Sequence, residues 1–498
     1  MFSPSFEEVK EIAENTEYKR IPIYCELFSD IATPIEVLRI LKGISKHTYM
    51  LESVEDSKKW GRYTFLGFDP LLEFTCQDGI VKIKGNEDFT QLTDDEITIE
   101  TQNPNEIIKD LISKNKSLKI NELPPFTGGF VGYFAYDYIK YSEPSLKLDA
   151  ANQDQFKDID LMLFDKVIAF DNFKQKIIVI VNMKTDELDE NYRKACIKLI
   201  EIADMIRNGE KTFIPHLELK SDFKPAFSRE KFCDMVEKAK NHIYEGDIFQ
   251  VVLSNRIEAD ISGSLFDTYR VLRTTNPSPY MFYFSSDDIE IAGASPETLV
   301  KLNGNKLYTF PLAGTRPRGK TDFEDHELEH DLLEDEKELA EHNMLVDLGR
   351  NDIGKISEIG SVKVEKYLSI EKFSHVMHIG STVTGQLRSD LHSLAAIDSI
   401  LPAGTLSGAP KIRACEIINE LEDNKRGIYG GAIGYVDLSG NIDTCISIRI
   451  AFARNNKVFI RSGAGIVADS VPENEFEECL NKAAAVIDAL KIADGGLE

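Results

Sequence analysis

Short apolar runs separated by turn residues dominate the first 180 positions. Runs at 71–75 and 80–83 flank Gln77-Asp78-Gly79, and an Asp-Gly pair between β-rich runs predicts a hairpin. Runs at 161–170 and 176–181, around Asn172-Phe173-Lys174, predict another. A helical pattern over 187–206 follows. The polar, proline-punctuated stretch 208–228 then marks the best domain boundary, dividing a segment 1–215 from a segment 225–498. Beyond it Phe232, Met235, Val236, Ala239 and Ile243 trace a helix stripe that ends at Gly246. The remaining pattern predicts a strand at 248–254 and a hairpin turning at Asn303-Gly304. It also predicts one long acidic helix over 323–348 and a meander of strands at 432–437, 444–453 and 458–461. A last helix begins at Pro472, with Ser470 as candidate cap. The expected fold is α+β, with antiparallel β-sheets packed together and helices on the outside.

Charge narrows the partners. The 498 residues carry 58 basic and 84 acidic side chains, a net −26, which speaks against nucleic acid and against an anionic membrane. The longest apolar stretches are strand-sized, so no membrane span is expected. Seven scattered cysteines without Cys-x-x-Cys spacing fit a reducing cytoplasm, and the acidic N-terminus lacks the apolar core of a secretory signal.

Two acid pairs stand out within this background. Glu338 and Glu341 lie three residues apart on one helical pattern, and Glu475 and Glu478 repeat the spacing on another. Four carboxylates on two helix faces make an all-oxygen site suited to Mg²⁺ once an anionic substrate completes it. A phosphate-loop pattern at 314–321 is set aside, because Pro311 interrupts the approach and acidic residues follow Thr321. Gly463-Ala464-Gly465 reads as a loop whose small residues let backbone N–H groups approach an anion.

The segments 311–319, 335–354, 373–385, 401–411 and 462–482 together resemble the chorismate-utilising enzymes, and within them the anthranilate-forming branch. The resemblance covers about 227–489. A weaker one, centred on 50–54 and 128–136, extends it toward the N-terminus. Carried over by position, the resemblance implies Glu341 and Glu478 as Mg²⁺ ligands with Glu338 and Glu475 beside them. Tyr429, Arg449, Gly463, Ala464, Gly465, Lys482, Gly314 and Thr315 would surround chorismate. Glu297 would be the general acid at the departing C4 hydroxyl, His378 the group acting in pyruvate loss, and Thr405 a pocket hydroxyl. His342 and His375 read as supporting groups.

Two positions separate the branches. Water-activating relatives place a Lys base where this chain has Gln250, and an amide is no base near neutral pH, so Gln250 favours ammonia as the nucleophile. Aminodeoxychorismate-forming relatives place a Lys nucleophile in the segment where this chain has Ala313. The chain has no Gly-x-Cys-x-Gly turn, so ammonia is expected from a separate glutamine amidotransferase subunit in a hetero-oligomer such as a heterotetramer. The resemblance further implies feedback by tryptophan at Leu51, Glu52, Ser53, Asn276, Pro279, Tyr280, Met281 and Cys445. Tyr280 and Met281 would then line an indole slot, and Ser53 with Glu52 would meet the amino group.

Overall fold

The computed structural model describes residues 2–53, 61–85, 96–372 and 376–497. Two large antiparallel sheets stack face to face. Through the middle of the first run Thr48–Glu52, Tyr280–Ser285, Glu290–Ser295, Ile450–Arg454, Lys457–Ile466 and Gln250–Ser262. The second carries Leu312–Pro317, Val376–Gln386, Lys306–Thr309, Thr298–Asn303, Ile442–Ile446, Ala432–Asp437 and Gly129–Phe134. An aromatic-rich core with Tyr49, Phe65, Phe126, Tyr133, Phe282 and Phe452 fills the space between them. Helices cover the outer faces over two aliphatic cores, so the layers run helix, sheet, sheet, helix.

Segments 1–215 and 225–498 interleave. Thr48–Glu52 pairs with Tyr280–Ser285 in the first sheet, and Gly129–Phe134 pairs with Ala432–Asp437 in the second. The intervening stretch itself supplies two short strands that pair with Gln250–Ser262.

Three elements differ from the sequence pattern. The run 161–170 is two strands, Ile159–Phe164 in the second sheet and Lys166–Asp171 in the first. The run 444–453 divides likewise into Ile442–Ile446 and Ile450–Arg454. In both, the chain passes from one sheet to the other at a short polar break, Asp165-Lys166 in the first and Ser447 to Arg449 in the second, inside an otherwise apolar run. The acidic helix is also two helices, Asp322–Glu334 and Glu336–Gly354. Asp335 adopts extended backbone, and its carboxylate accepts the N–H groups of Lys337 and Glu338 at 3.1 and 3.2 Å. An N-cap here starts a new helix inside an otherwise continuous pattern. The last helix spans Pro472–Ala493 but is preceded by Val471, which offers no side-chain cap; Ser470 instead accepts the N–H of Val467 at 3.1 Å.

Candidate active site

The two acid pairs come from the opening turns of Glu336–Gly354 and Pro472–Ala493. Carboxylates near helix N-termini are stabilised by the backbone dipole, which makes these turns tolerable places for clustered acids. The pairs face each other. Burial pushes the Glu341 carboxyl up, and the Glu338 and Glu478 carboxylates add to the rise, against the pull of Lys482 and Lys337. Burial followed by Glu478 raises Glu475, with Lys482 and Lys337 opposing. Lys482 lies between the acids and the rest of the cleft. Its Nζ is 2.6 Å from Glu478 and donates to the Gly463 carbonyl at 3.2 Å. The four glutamates are not drawn to coordination distance. Among the described residues, tight three-donor groupings occur instead at His47–Glu73–Asp287, His242–Glu245–Asp247 and Glu73–Asp160–Asp288. The donor chemistry nonetheless fits a hard divalent cation, since crowded carboxylates with raised pKa values gain most from added positive charge.

Gly463, Ala464 and Gly465 are not a loop. They continue the strand Lys457–Ile466 opposite Ser254, Leu253 and Val252. That correction gives the glycines a direction. Ser254 sends its N–H to Glu422 at 2.8 Å, and Val252 sends its N–H to the Ser407 carbonyl at 2.9 Å, both away from the glycine strand. Antiparallel partners alternate between facing each other and facing outward, so Gly463 and Gly465 also turn their N–H groups outward. On that side Ile450–Arg454 pairs no further than Ile460, leaving the edge open. Side chains are excluded at both positions. A methyl group on Gly463 would lie 2.9 Å from the Tyr429 hydroxyl, and one on Gly465 would lie 2.6 Å from Gln250 Nε2. Gln250 therefore lies over the second glycine.

Arg449 sits at the corner where the chain leaves one sheet for the other, with φ of 53°, a strained value for a non-glycine residue. Its side chain is reachable by solvent yet walled by protein, and burial lowers its pKa against the opposing pull of Glu297. Among the described residues its guanidinium has no carboxylate within ion-pair distance. Glu297 occupies the floor. Burial pushes its carboxyl up to about 7, against opposing effects of a Thr405 hydrogen bond (3.2 Å), Arg449 and Lys482. A cavity of about 40 Å³ beside it is lined by Leu345, Leu348, Ile400, Ala403 and Ile446 together with Thr298, Thr309 and Asp352.

His378 Nδ1 is 2.7 Å from the Gly314 carbonyl and 3.2 Å from the Thr315 hydroxyl. A carbonyl only accepts, so Nδ1 carries the proton and Nε2 is the basic nitrogen of the neutral ring. Burial lowers the pKa of His378 and keeps it neutral. Gly314 has φ of 66°, and a methyl group there would lie 3.2 Å from Glu338, which links the histidine wall to the acid pairs. His342 is fully buried, hydrogen-bonded to Ser381 at 2.7 Å and lowered to about 4 by burial, while His375 lies outside the described residues. Sequence reasoning passes over Arg316, which bonds Asp331 and Asp335 at 2.6 and 2.9 Å and approaches Glu338 at 3.6 Å. The alternating cations Arg316, Arg318 and Lys320 just before an acidic run were the available signal. The first half of the phosphate-loop pattern lies in the strand Leu312–Pro317, and its Gly319 and Lys320 N–H groups are taken by Asp325 and Glu324 at 2.6 and 2.7 Å.

The proposed inhibitor residues divide by face. Leu51 and Tyr280 pack into the core between the sheets, where Cys445 is also buried. Glu52 and Met281 face each other across the strand pair on the opposite side. Consecutive strand residues point to opposite faces, so the side chains of Tyr280 and Met281 cannot line one slot. Glu52 is held by Tyr269 at 2.5 Å and by Arg273. Ser53 has a buried hydroxyl with no hydrogen-bond partner among the described residues. Asn276 ends the helix Phe266–Thr275, and Pro279 leads into the strand that begins at Tyr280.

The family described as chorismate binding enzyme matches residues 53–488. The chain belongs to that family. Its relatives include anthranilate synthase component 1 of Aquifex aeolicus, 44% identical with 99% of both chains covered. The namesake from Acetivibrio thermocellus is also 44% identical, again with 99% of both covered. Among solved structures, anthranilate synthase component I from Streptococcus pneumoniae superposes with a TM-score of 0.76 at 38% identity, covering 92% of this chain and 98% of that one. The menaquinone-specific isochorismate synthase of Escherichia coli shares the fold, with a TM-score of 0.70 at 18% identity over 97% and 98% of the two chains. The chain is thus a chorismate-utilising enzyme of the anthranilate synthase component I type, and no helix among its described residues is long and apolar enough to cross a membrane.

Proposed function

We propose that the chain aminates chorismate at C2 with ammonia and then eliminates pyruvate to give anthranilate, the first committed step toward tryptophan. The observation that carries this reading is the Arg449 guanidinium, which has no ion pair among the described residues and interacts with Glu297, at the start of the strand that pairs with Lys457–Ile466. An arginine with no ion-paired carboxylate suits an incoming carboxylate, which its fork binds bidentately. Tyr429 adds a hydroxyl on the same side. The second carboxylate of the dianion belongs at the acid pairs, where Glu341 and Glu478, with Glu338 and Glu475 beside them, would hold Mg²⁺. Bound there, the ion supplies orientation and charge neutralisation.

Glu297, its carboxyl pushed up to about 7 by burial, gives its proton to the C4 oxygen as that bond breaks. Thr405 orients the carboxyl. Gln250 closes the cleft at the glycine strand without acting as a base. His378 Nε2 then takes the C2 proton as the enolpyruvyl C–O bond breaks and the ring becomes aromatic.

The ammonia comes from a glutamine amidotransferase subunit in a hetero-oligomer. Tryptophan inhibits from the region of Leu51, Ser53, Asn276, Pro279, Tyr280 and Cys445, with Glu52 and Met281 contributing from the opposite face of the strand pair. The purified chain with chorismate, Mg²⁺ and ammonium should form fluorescent anthranilate, and glutamine should not replace ammonium. Isochorismate as the product, or glutamine-dependent turnover by the chain alone, would refute the assignment.

A further inference from the structure

Behind the open edge that the two glycines present lies a buried charge cluster that no motif of the cleft accounts for. Glu422, Arg426 and Arg461 are each no more than 2% exposed. Arg426 bonds both Glu422 oxygens at 2.9 and 2.6 Å, and Arg461 bonds Glu422 at 2.6 Å. The cluster reaches every element of the anion pocket. Arg426 donates to the Leu406 carbonyl, next to Thr405, and to the Val252 carbonyl, opposite Gly465, both at 2.6 Å. Ser254, opposite Gly463, gives its N–H and hydroxyl to Glu422 at 2.8 and 2.9 Å and accepts from Arg461 at 2.7 Å. The Arg426 guanidinium lies 5.8 Å from the Tyr429 ring centroid.

The charges do not cancel. Two guanidinium groups share one carboxylate. Burial alone would push Glu422 up, but the two arginines hold it ionised. Among the charged neighbours, Arg256 and Lys457 are matched by Asp154 and Glu258, and Lys140 and Lys425 by Asp78 and Asp158, while burial pushes the carboxyl of Asp137, which accepts the Gly427 N–H, up toward its neutral form. A buried pair is costly enough, and a surplus buried charge costs more unless an anion meets it.

We propose that Arg461 is a positioning residue whose surplus charge draws a substrate carboxylate onto Gly463, Gly465 and Tyr429 from behind the strand, without touching it. This rests on the chorismate reading above. Arg461 precedes Gly463 by two residues on the same strand face, so its charge acts over about 10 Å, and at an effective dielectric of about 20 that is worth about tenfold in substrate affinity.

The test uses the full chain with Mg²⁺, chorismate and ammonium. Arg461→Gln keeps hydrogen bonding to Ser254 and removes the charge; KM for chorismate should rise about tenfold with kcat within about threefold. Arg461→Lys keeps the charge and should hold KM within about threefold. Glu422→Gln adds net positive charge and should lower KM, an opposite-signed shift that a merely structural role does not produce. If Glu422→Gln fails to fold by circular dichroism, the Gln and Lys variants at position 461 decide the matter. Equal KM increases in those two, or a kcat loss at unchanged KM, would overturn the proposal. Wild-type chain that makes no anthranilate would instead overturn the functional reading.

Discussion

Replacing Glu297 by Gln should abolish turnover and stabilise the protein at alkaline pH. The carboxyl is raised from 4.5 to about 7 because water is largely excluded from its surroundings. Between those values the folded protein keeps a proton that the unfolded chain has released, so stability falls as pH rises through this window. The full effect corresponds to about 3 kcal/mol, reduced to about 1–3 kcal/mol because one side of the group faces an open cleft. Urea unfolding of wild type and Glu297→Gln at pH 5 and pH 8.5 isolates this contribution, since every other titrating group cancels between the two proteins. The variant should gain about 1–3 kcal/mol relative to wild type at pH 8.5 and much less at pH 5. Anthranilate fluorescence should show a rate loss of about 10²–10⁴-fold, the usual contribution of a positioned acid. A stability difference independent of pH, or turnover near wild type, would show that Glu297 is neither strained nor catalytic.

Glu341→Gln should leave the fold intact, remove one facing charge and raise the Mg²⁺ concentration needed for half-maximal turnover at least tenfold; an unchanged Mg²⁺ dependence removes Glu341 from the metal site. His378→Met should separate the two steps, with mass spectrometry detecting chorismate whose hydroxyl has become an amino group; pyruvate and anthranilate released together at the wild-type rate would deny the histidine its role. Ser53→Phe should fill the space at the unpartnered hydroxyl and abolish tryptophan binding in calorimetry with little change in uninhibited rate. In the wild type, chorismate should weaken tryptophan binding by the same factor that tryptophan weakens chorismate binding, and unequal factors would exclude simple coupling.

The spacing singles out the acid pairs, and the family resemblance is what gives them a role. Glu338, Glu341, Glu475 and Glu478 declare themselves by repeated i,i+3 spacing on two helical patterns, and Pro472 sets the start of its helix. What stayed hidden was three-dimensional in origin. Arg449 is named by the resemblance, but its place at a corner where the chain changes sheets, with φ of 53°, shows only in the fold. The outward direction of the Gly463 and Gly465 N–H groups depends on ladder register, which sequence alone leaves open. Asp335 looked like one acid among many until it proved to cap a new helix. Glu422 and Arg426 are only four residues apart, but Arg461 joins them through the fold alone.

The interleaving of the two segments sets a timetable for synthesis. One edge of Gly129–Phe134 waits for Ala432–Asp437, and Thr48–Glu52 waits for Tyr280–Ser285. At typical elongation rates the first interval lasts about 15 to 60 s. Throughout it, a glycine-rich apolar strand keeps unpaired backbone groups along one edge, the kind of surface on which chains associate. No early portion of this polypeptide can complete either sheet, so both stay open-edged until residues 432–437 have been made.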